Sequence, residues 1–209
     1  MLATPEIILS HQPDAVIVAT GGKPVGPDIP GINSKKVLSM ERLHRQLNLL
    51  LKIFDSYQLN RLTRIWMPLG KRALIIGSGI QACELAEFLV KRKRAVTIID
   101  TQEVPGVDIV PDETKDSLLN WLVKKGTVFH MNSEITEIRP EGVKIVSNNG
   151  QETLVKADSI IPALPLVPNP ELFKSLENRI EEVFAVGDCG TPGLIPDAVS
   201  TGAEVGYQI

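Results

Sequence analysis

The run Gly77-Ser78-Gly79-Ile80-Gln81-Ala82 has the composition of a turn built to receive a pyrophosphate. In such a turn the first glycine leads the chain sharply out of a strand. The second lets the backbone approach the phosphates with no Cβ in the way, and a small residue at the last position, here Ala82, lets helix and strand pack closely. A helix opening at Ile80 aims its free N–H groups and the positive end of its dipole at the same anion. Asp100 follows about twenty residues later, where a carboxylate accepts hydrogen bonds from ribose hydroxyls and repels a 2′-phosphate. No Arg or Lys stands at Thr101-Gln102-Glu103 to offset that repulsion, so the pattern favours NAD(H) over NADP(H). Glu84 reads as lying on the first turn of the helix, where a carboxylate gains from the dipole.

These residues act together only if strands and a helix hold them. Lys71–Ile76 reads as an apolar strand, Ile80 to about Arg92 as an amphipathic helix, and Ala95–Asp100 as a second buried strand. Together they make a βαβ unit of roughly thirty residues. The basic run Lys91-Arg92-Lys93-Arg94 falls at the far end of the helix, where it complements the negative end of the dipole rather than clamping a phosphate. A helix over Asp112–Lys125, stopped by Gly126, and a strand at Thr127–His130 come next. The apolar period then falls to two over Ser133–Arg139, Val143–Ser147 and Glu152–Lys156, with Asn149-Gly150 as a hairpin signal, predicting an antiparallel meander. Asp14–Thr20, Asp158–Ile161 and Val183–Val186 read as strands buried on both faces. Met40 to about Leu62 carries leucines at helical spacing. The chain ends inside what reads as an uncapped helix, a sign of a fragment.

Composition narrows the classes. With 209 residues, 43% hydrophobic and 22% charged, and a net charge of −3, the chain reads as a globular protein with no nucleic-acid partner. No apolar run is long enough for a membrane span, and the two cysteines, Cys83 and Cys189, form no C-x-x-C, so a cytoplasmic setting is expected and a dithiol site is not. His11, His44 and His130 are isolated, so no metal site is expected. The residues leave the catalytic group unidentified and leave room for an oligomer.

Three segments resemble the two-dinucleotide-domain flavoproteins, the pyridine nucleotide–disulfide reductase superfamily. Ala19-Thr20-Gly21-Gly22 is similar to its A-T-G-x segment, Gly77–Glu84 to its inner NAD fingerprint, and Phe184-Ala185-Val186-Gly187-Asp188 to its late FAD motif. Pro13–Pro24 and Ile29-Pro30-Gly31-Ile32 most resemble the C-terminal half of the 2,4-dienoyl-CoA reductase, 2-enoate reductase and trimethylamine dehydrogenase group. The resemblance implies an α/β fold: a Rossmann-like NAD(P)-binding domain at residues 69–168 with an inserted antiparallel meander, flanked at 1–68 and 169–209 by parts of an FAD-type dinucleotide-binding domain. It implies that NADH binds at Gly77, Ser78, Gly79, Ile80, Gln81, Ala82 and Asp100, with Glu84 near the nicotinamide half. Thr20, Gly21, Gly187 and Asp188 face FAD. The family's first FAD fingerprint is absent, as are a barrel and an Fe–S cysteine cluster. The expectation is therefore a fragment of an NAD(P)H-dependent flavin oxidoreductase, incomplete alone, whose parent adds N-terminal flavin and barrel domains with FMN and an Fe–S cluster. Such a parent passes hydride from NADH to FAD and reduces an enoate or enoyl-type C=C bond. Pro165, where the family has a glycine, keeps an alternative open: a static adenine-nucleotide-binding structural or regulatory module without hydride transfer.

Overall fold

The computed structural model describes residues 3–39, 63, 67, 69–109 and 112–209, and the helical segment expected at Met40–Leu62 lies outside them. The chain forms two compact units, one from the chain up to Val25 together with Pro165–Ile209, the other from Gly26–Leu164. The described elements run, in chain order, α1 (Pro5–Ser10), β1 (Ala15–Val18), β2 (Lys23–Pro24), β3 (Arg72–Ile76), α2 (Ile80–Lys91), β4 (Ala95–Ile99), α3 (Asp112–Lys124) and β5 (Val128–His130). The meander β6 (Ser133–Arg139), β7 (Gly142–Ser147) and β8 (Glu152–Lys156) follows, then β9 (Ser159–Pro162), β10 (Leu166–Val167), α4 (Glu171–Leu176), β11 (Glu182–Ala185) and α5 (Ile195–Gly206).

In the Gly26–Leu164 unit, four parallel strands lie in the order β5-β4-β3-β9. Register places Ile76 beside Ile99 on one side and Pro162 on the other, so three strands end at one edge. Parallel strands covered on both faces need nearly continuous apolar runs. Alternation along each strand then divides those side chains between two layers. Ala73, Ile75, Val96, Ile98 and Ile161 pack against Ala82, Cys83, Ala86 and Leu89 of α2 and Leu122 of α3. Leu74, Ile76, Ile99 and Ile160 pack against Ile138, Val143 and Ile145 of the meander. Helices cover one face of the sheet and the meander covers the other. Residues before the βαβ unit join it too, since Val37 bridges to Ile160 and the Leu38 N–H donates to Ile160 O at 2.8 Å.

In the other unit, β1 and β11 are parallel, with Val18 opposite Ala185. The expectation that both are buried on two faces is corrected here. Ile17 is 48% exposed, and no residue of β11 is fully buried. Among the described residues these strands pair only with each other, so each keeps an open edge. Their cover comes from α1 and α4, which surround Val18, Leu176 and Cys189 with Ile8, Leu9, Leu172 and Phe173. The final helix also differs from expectation. It closes at Gly206, and the Tyr207 N–H donates back to Ala203 O at 3.1 Å.

Candidate functional site

Gly77 leaves β3 with a φ of +103°, and a Cβ there would stand 2.5 Å from Ala163 O. Glycine alone accepts both conditions. The turn is stitched to the strands on either side, the Gly77 N–H donating to Ile99 O at 2.9 Å and the Ala163 N–H to Ile76 O at 2.8 Å. Gly79 is under no such demand. Its φ of −68° and ψ of −175° are ordinary extended backbone, and it caps α2.

What needs Gly79 bare is the group lying over it. The Asp108 carboxylate accepts from the Ile80 N–H at 2.9 Å through Oδ1, and a Cβ on Gly79 would lie 2.8 Å from its Oδ2. The first N–H of α2 is therefore engaged, not free as the sequence suggests. The glycine face and the helix-start donor already hold an anion, supplied by the protein itself. Asp108 carries no local signal that could have singled it out. It lies 28 residues from Ile80, in the loop that Gly106 anchors by donating its N–H to Ser78 O at 2.8 Å.

Asp100 emerges beside this turn at the end of β4. Its backbone N–H donates to His130 O at 3.1 Å, and its carbonyl accepts from the Ser133 N–H at 2.9 Å. The carboxylate accepts from the Ser78 hydroxyl on Oδ2 at 2.7 Å, and on Oδ1 from the Gln102 N–H at 3.1 Å and the Thr101 hydroxyl at 3.5 Å. A carboxylate has about four acceptor positions, so one remains open on Oδ2, while the exposed Thr101 hydroxyl takes the second on Oδ1. Ala82 is fully buried under the turn, as close packing of helix on strand requires. Cys83 beside it donates its S–H to Ser78 O at 3.4 Å. Burial, with the Asp108 and Glu84 carboxylates nearby, pushes its thiol up to about 11, which makes it no nucleophile at neutral pH. Gln81 is exposed and Ile80 half-buried. Glu84 is exposed and, as the fifth residue of α2, lies past the first turn, which holds no acid. The expected first-turn placement is corrected, and the dipole benefit fades with it.

In the other unit, Thr20-Gly21 and Gly187-Asp188 leave the C-terminal ends of β1 and β11, the edge at which open α/β sheets take ligands. Thr20 donates its hydroxyl to Cys189 Sγ at 3.5 Å, which ties the two segments together, and Cys189 donates to Asn169 O at 3.2 Å. Gly21 has a φ of +74°, with open space where a Cβ would stand. The Gly187 N–H donates to the Thr201 hydroxyl at 3.0 Å, and Asp188 Oδ1 accepts from the Gly193 N–H at 3.1 Å. Cys189, which spacing left outside the expected site, links Thr20 to Asn169 at this edge.

Comparison with known proteins agrees with this architecture. The NADH oxidase of Thermoanaerobacter brockii is 29% identical over 208 residues, covering 99% of this chain and 30% of that protein. A solved 2-naphthoyl-CoA reductase in complex with 2-naphthoyl-CoA superposes with a TM-score of 0.83 at 24% identity, covering 99% of this chain and 28% of that one. A water-forming NADH oxidase from Lactobacillus brevis bound to NADH gives 0.63 at 20% identity, covering 93% and 46%. These two are likenesses of fold. The chain spans 30% of the length of the Thermoanaerobacter relative it matches. Residues 9–202 match the pyridine nucleotide-disulphide oxidoreductase family, and with nearly the whole chain so covered, this protein belongs to that family.

Proposed function

We propose that this chain is the pyridine-nucleotide-binding part of a flavin-dependent oxidoreductase, with NADH as its nucleotide. The observation that carries the reading is the pairing at the end of β3 and β4. A bare glycine and a helix-start N–H already hold a carboxylate, and beside them stands Asp100, held by Ser78 with an acceptor position open on Oδ2. Pyrophosphate chemistry fits the first and a ribose diol the second. In this reading Gly77, Gly79, Ile80 and Ala82 shape the phosphate seat, Gln81 and Glu84 border it, with Glu84 towards the nicotinamide half, and Asp100 reads the ribose. Thr20, Gly21, Gly187 and Asp188 belong to an FAD seat, supported by the open space over Gly21 and the tie between Thr20 and Cys189.

When bound, NADH supplies a hydride and FAD takes it up; the chain's own part is to bind, orient and select. For the parent we propose the 2,4-dienoyl-CoA reductase group and an enoate or enoyl-type acceptor, with FMN and an Fe–S cluster on its N-terminal domains. The Pro13–Pro24 and Ile29–Ile32 segments support this, as does the fold likeness to a reductase solved with an acyl-CoA. Two free thiols suit a cytoplasmic setting. Pro165 favours a second reading, a static adenine-nucleotide module. Calorimetric titration should show one NADH site, with NADPH bound roughly tenfold or more weakly because Asp100 repels a 2′-phosphate. Equal affinity for both would remove Asp100 from the ribose, and no binding would overturn the reading. NADH-dependent bleaching of flavin in the intact parent separates hydride transfer from the static module.

A further inference from the structure

We infer that Ser78 is a positioning residue that sets nucleotide choice through Asp100 and never touches the nucleotide with its side chain. The inference rests on the nucleotide reading above and deepens it. In a G-x-G turn the middle residue is left open by the motif, since the two glycines do the work of turning and of close approach. Here that residue has a task. Ser78 is 1% exposed, so its side chain is out of reach of anything seated on the sheet edge. Its single hydroxyl proton goes to Asp100 Oδ2 at 2.7 Å. Its carbonyl accepts from the Gly106 N–H at 2.8 Å and the Cys83 S–H at 3.4 Å. The loop beyond β4 and the first turns of α2 thus fix Ser78, and Ser78 fixes Asp100.

The consequence lies in what a free aspartate would do. An aspartate at a partly exposed strand end samples several rotamers, and binding a ligand with it costs side-chain entropy. With the Ser78 hydroxyl on one oxygen and the Gln102 N–H on the other at 3.1 Å, the carboxylate plane is set before any ligand arrives. The position open on Oδ2, with the one that the exposed Thr101 hydroxyl yields on Oδ1, then suits a vicinal diol. The same restraint acts against a 2′-phosphate, because a held carboxylate cannot swing away from the second negative charge. Selectivity here combines an attraction and a repulsion, and Ser78 enforces both.

The test is a double-mutant cycle on the whole chain with NADH and NADPH titrations. Ser78→Ala should stay folded, bind NADH about tenfold more weakly, in line with a lost bond to a charged group, and bind NADPH no worse, so that the preference narrows. In an Asp100→Ala background, Ser78→Ala should cause no further loss of NADH affinity. Ser78→Cys keeps the side-chain size but is a poor donor, so it should narrow the preference as alanine does. An unchanged NADH-to-NADPH ratio in Ser78→Ala or Ser78→Cys overturns the inference. So does a loss of the same size with and without Asp100, which would mark a merely structural role. A wild-type chain with no NADH affinity would instead overturn the nucleotide reading, and this inference with it.

Discussion

Gly79 separates a binding role from a folding role more cleanly than any other residue of the turn. Its backbone angles suit any amino acid, and the nearest atoms a Cβ there would meet belong to the exposed Asp108 carboxylate. Gly79→Val should therefore melt close to the parent while losing NADH affinity, because the added side chain stands where a pyrophosphate must pass. Gly77→Ala is the contrast. It combines a φ of +103° with a Cβ driven against Ala163 O, and it should destabilise the fold by about 1–3 kcal/mol. Thermal melts and NADH titrations on both variants check the division. A folded Gly79→Val that binds NADH as the parent does would defeat the phosphate assignment. At this scale the glycines, Ala82 and Asp100 were legible because their signal is a short spacing within one βαβ unit. Asp108 over Gly79 and Ser78 on Asp100 were not, since both contacts depend on where β4 and its loop come to rest beside β3.

Between elements, the N-terminal edge of the sheet is closed by a pair 86 residues apart. Asp158, just before β9, accepts from the Arg72 backbone N–H at 2.9 Å and from Arg72 Nε at 3.2 Å. The Arg72 guanidinium and backbone N–H hold the Asp158 carboxyl down to about 2, from an ordinary 3.8. A depressed carboxyl lends stability that is present above its unfolded value and is lost as pH falls through the folded one. The Arg72 and Asp158 side chains are 48% and 31% exposed, so solvent screening leaves the pair only a small part of the stability that the lowered carboxyl implies. Asp158→Asn should be slightly less stable than the parent at pH 7 and lose less stability than the parent as pH falls from about 3.8 to about 2. Denaturant titrations across that range decide it, and matching acid limbs would assign the acid sensitivity to other groups. The sheet and meander were legible as elements because apolar runs and period-two runs report burial directly. β1 was over-read for a physical reason. Ala-Val-Ile-Val specifies a strand but not how many neighbours it has, and here the sole described neighbour is β11.

The molecule as a whole presents two compact units with different sequence signatures and, in the proposed reading, different ligands. None of the helices among the described residues is long and apolar enough to cross a membrane. The Gly26–Leu164 unit has a four-stranded sheet covered on both faces, with Gly79 and Asp100 beside each other at its edge. The other unit offers the parallel pair β1 and β11, with Ile17 half exposed, and a short antiparallel pair, β2 and β10, and the sequence supplies its A-T-G and Gly-Asp segments. In the proposed reading the FAD seat on this unit rests on those segments. The chain should therefore bind NADH while retaining far less than one FAD per molecule on purification. Hydrogen exchange locates the effect, since amides protected by a ligand report the segment it touches or tightens. NADH should slow exchange at residues 77–82 and 100–108 and leave 15–20 and 183–190 unchanged. Added FAD should act on the second pair of segments, and only at high concentration. Flavin absorbance at one equivalent in the purified chain would show that the smaller unit already holds a complete FAD seat. NADH protection centred on residues 15–20 would move the nucleotide out of the Gly77 turn altogether.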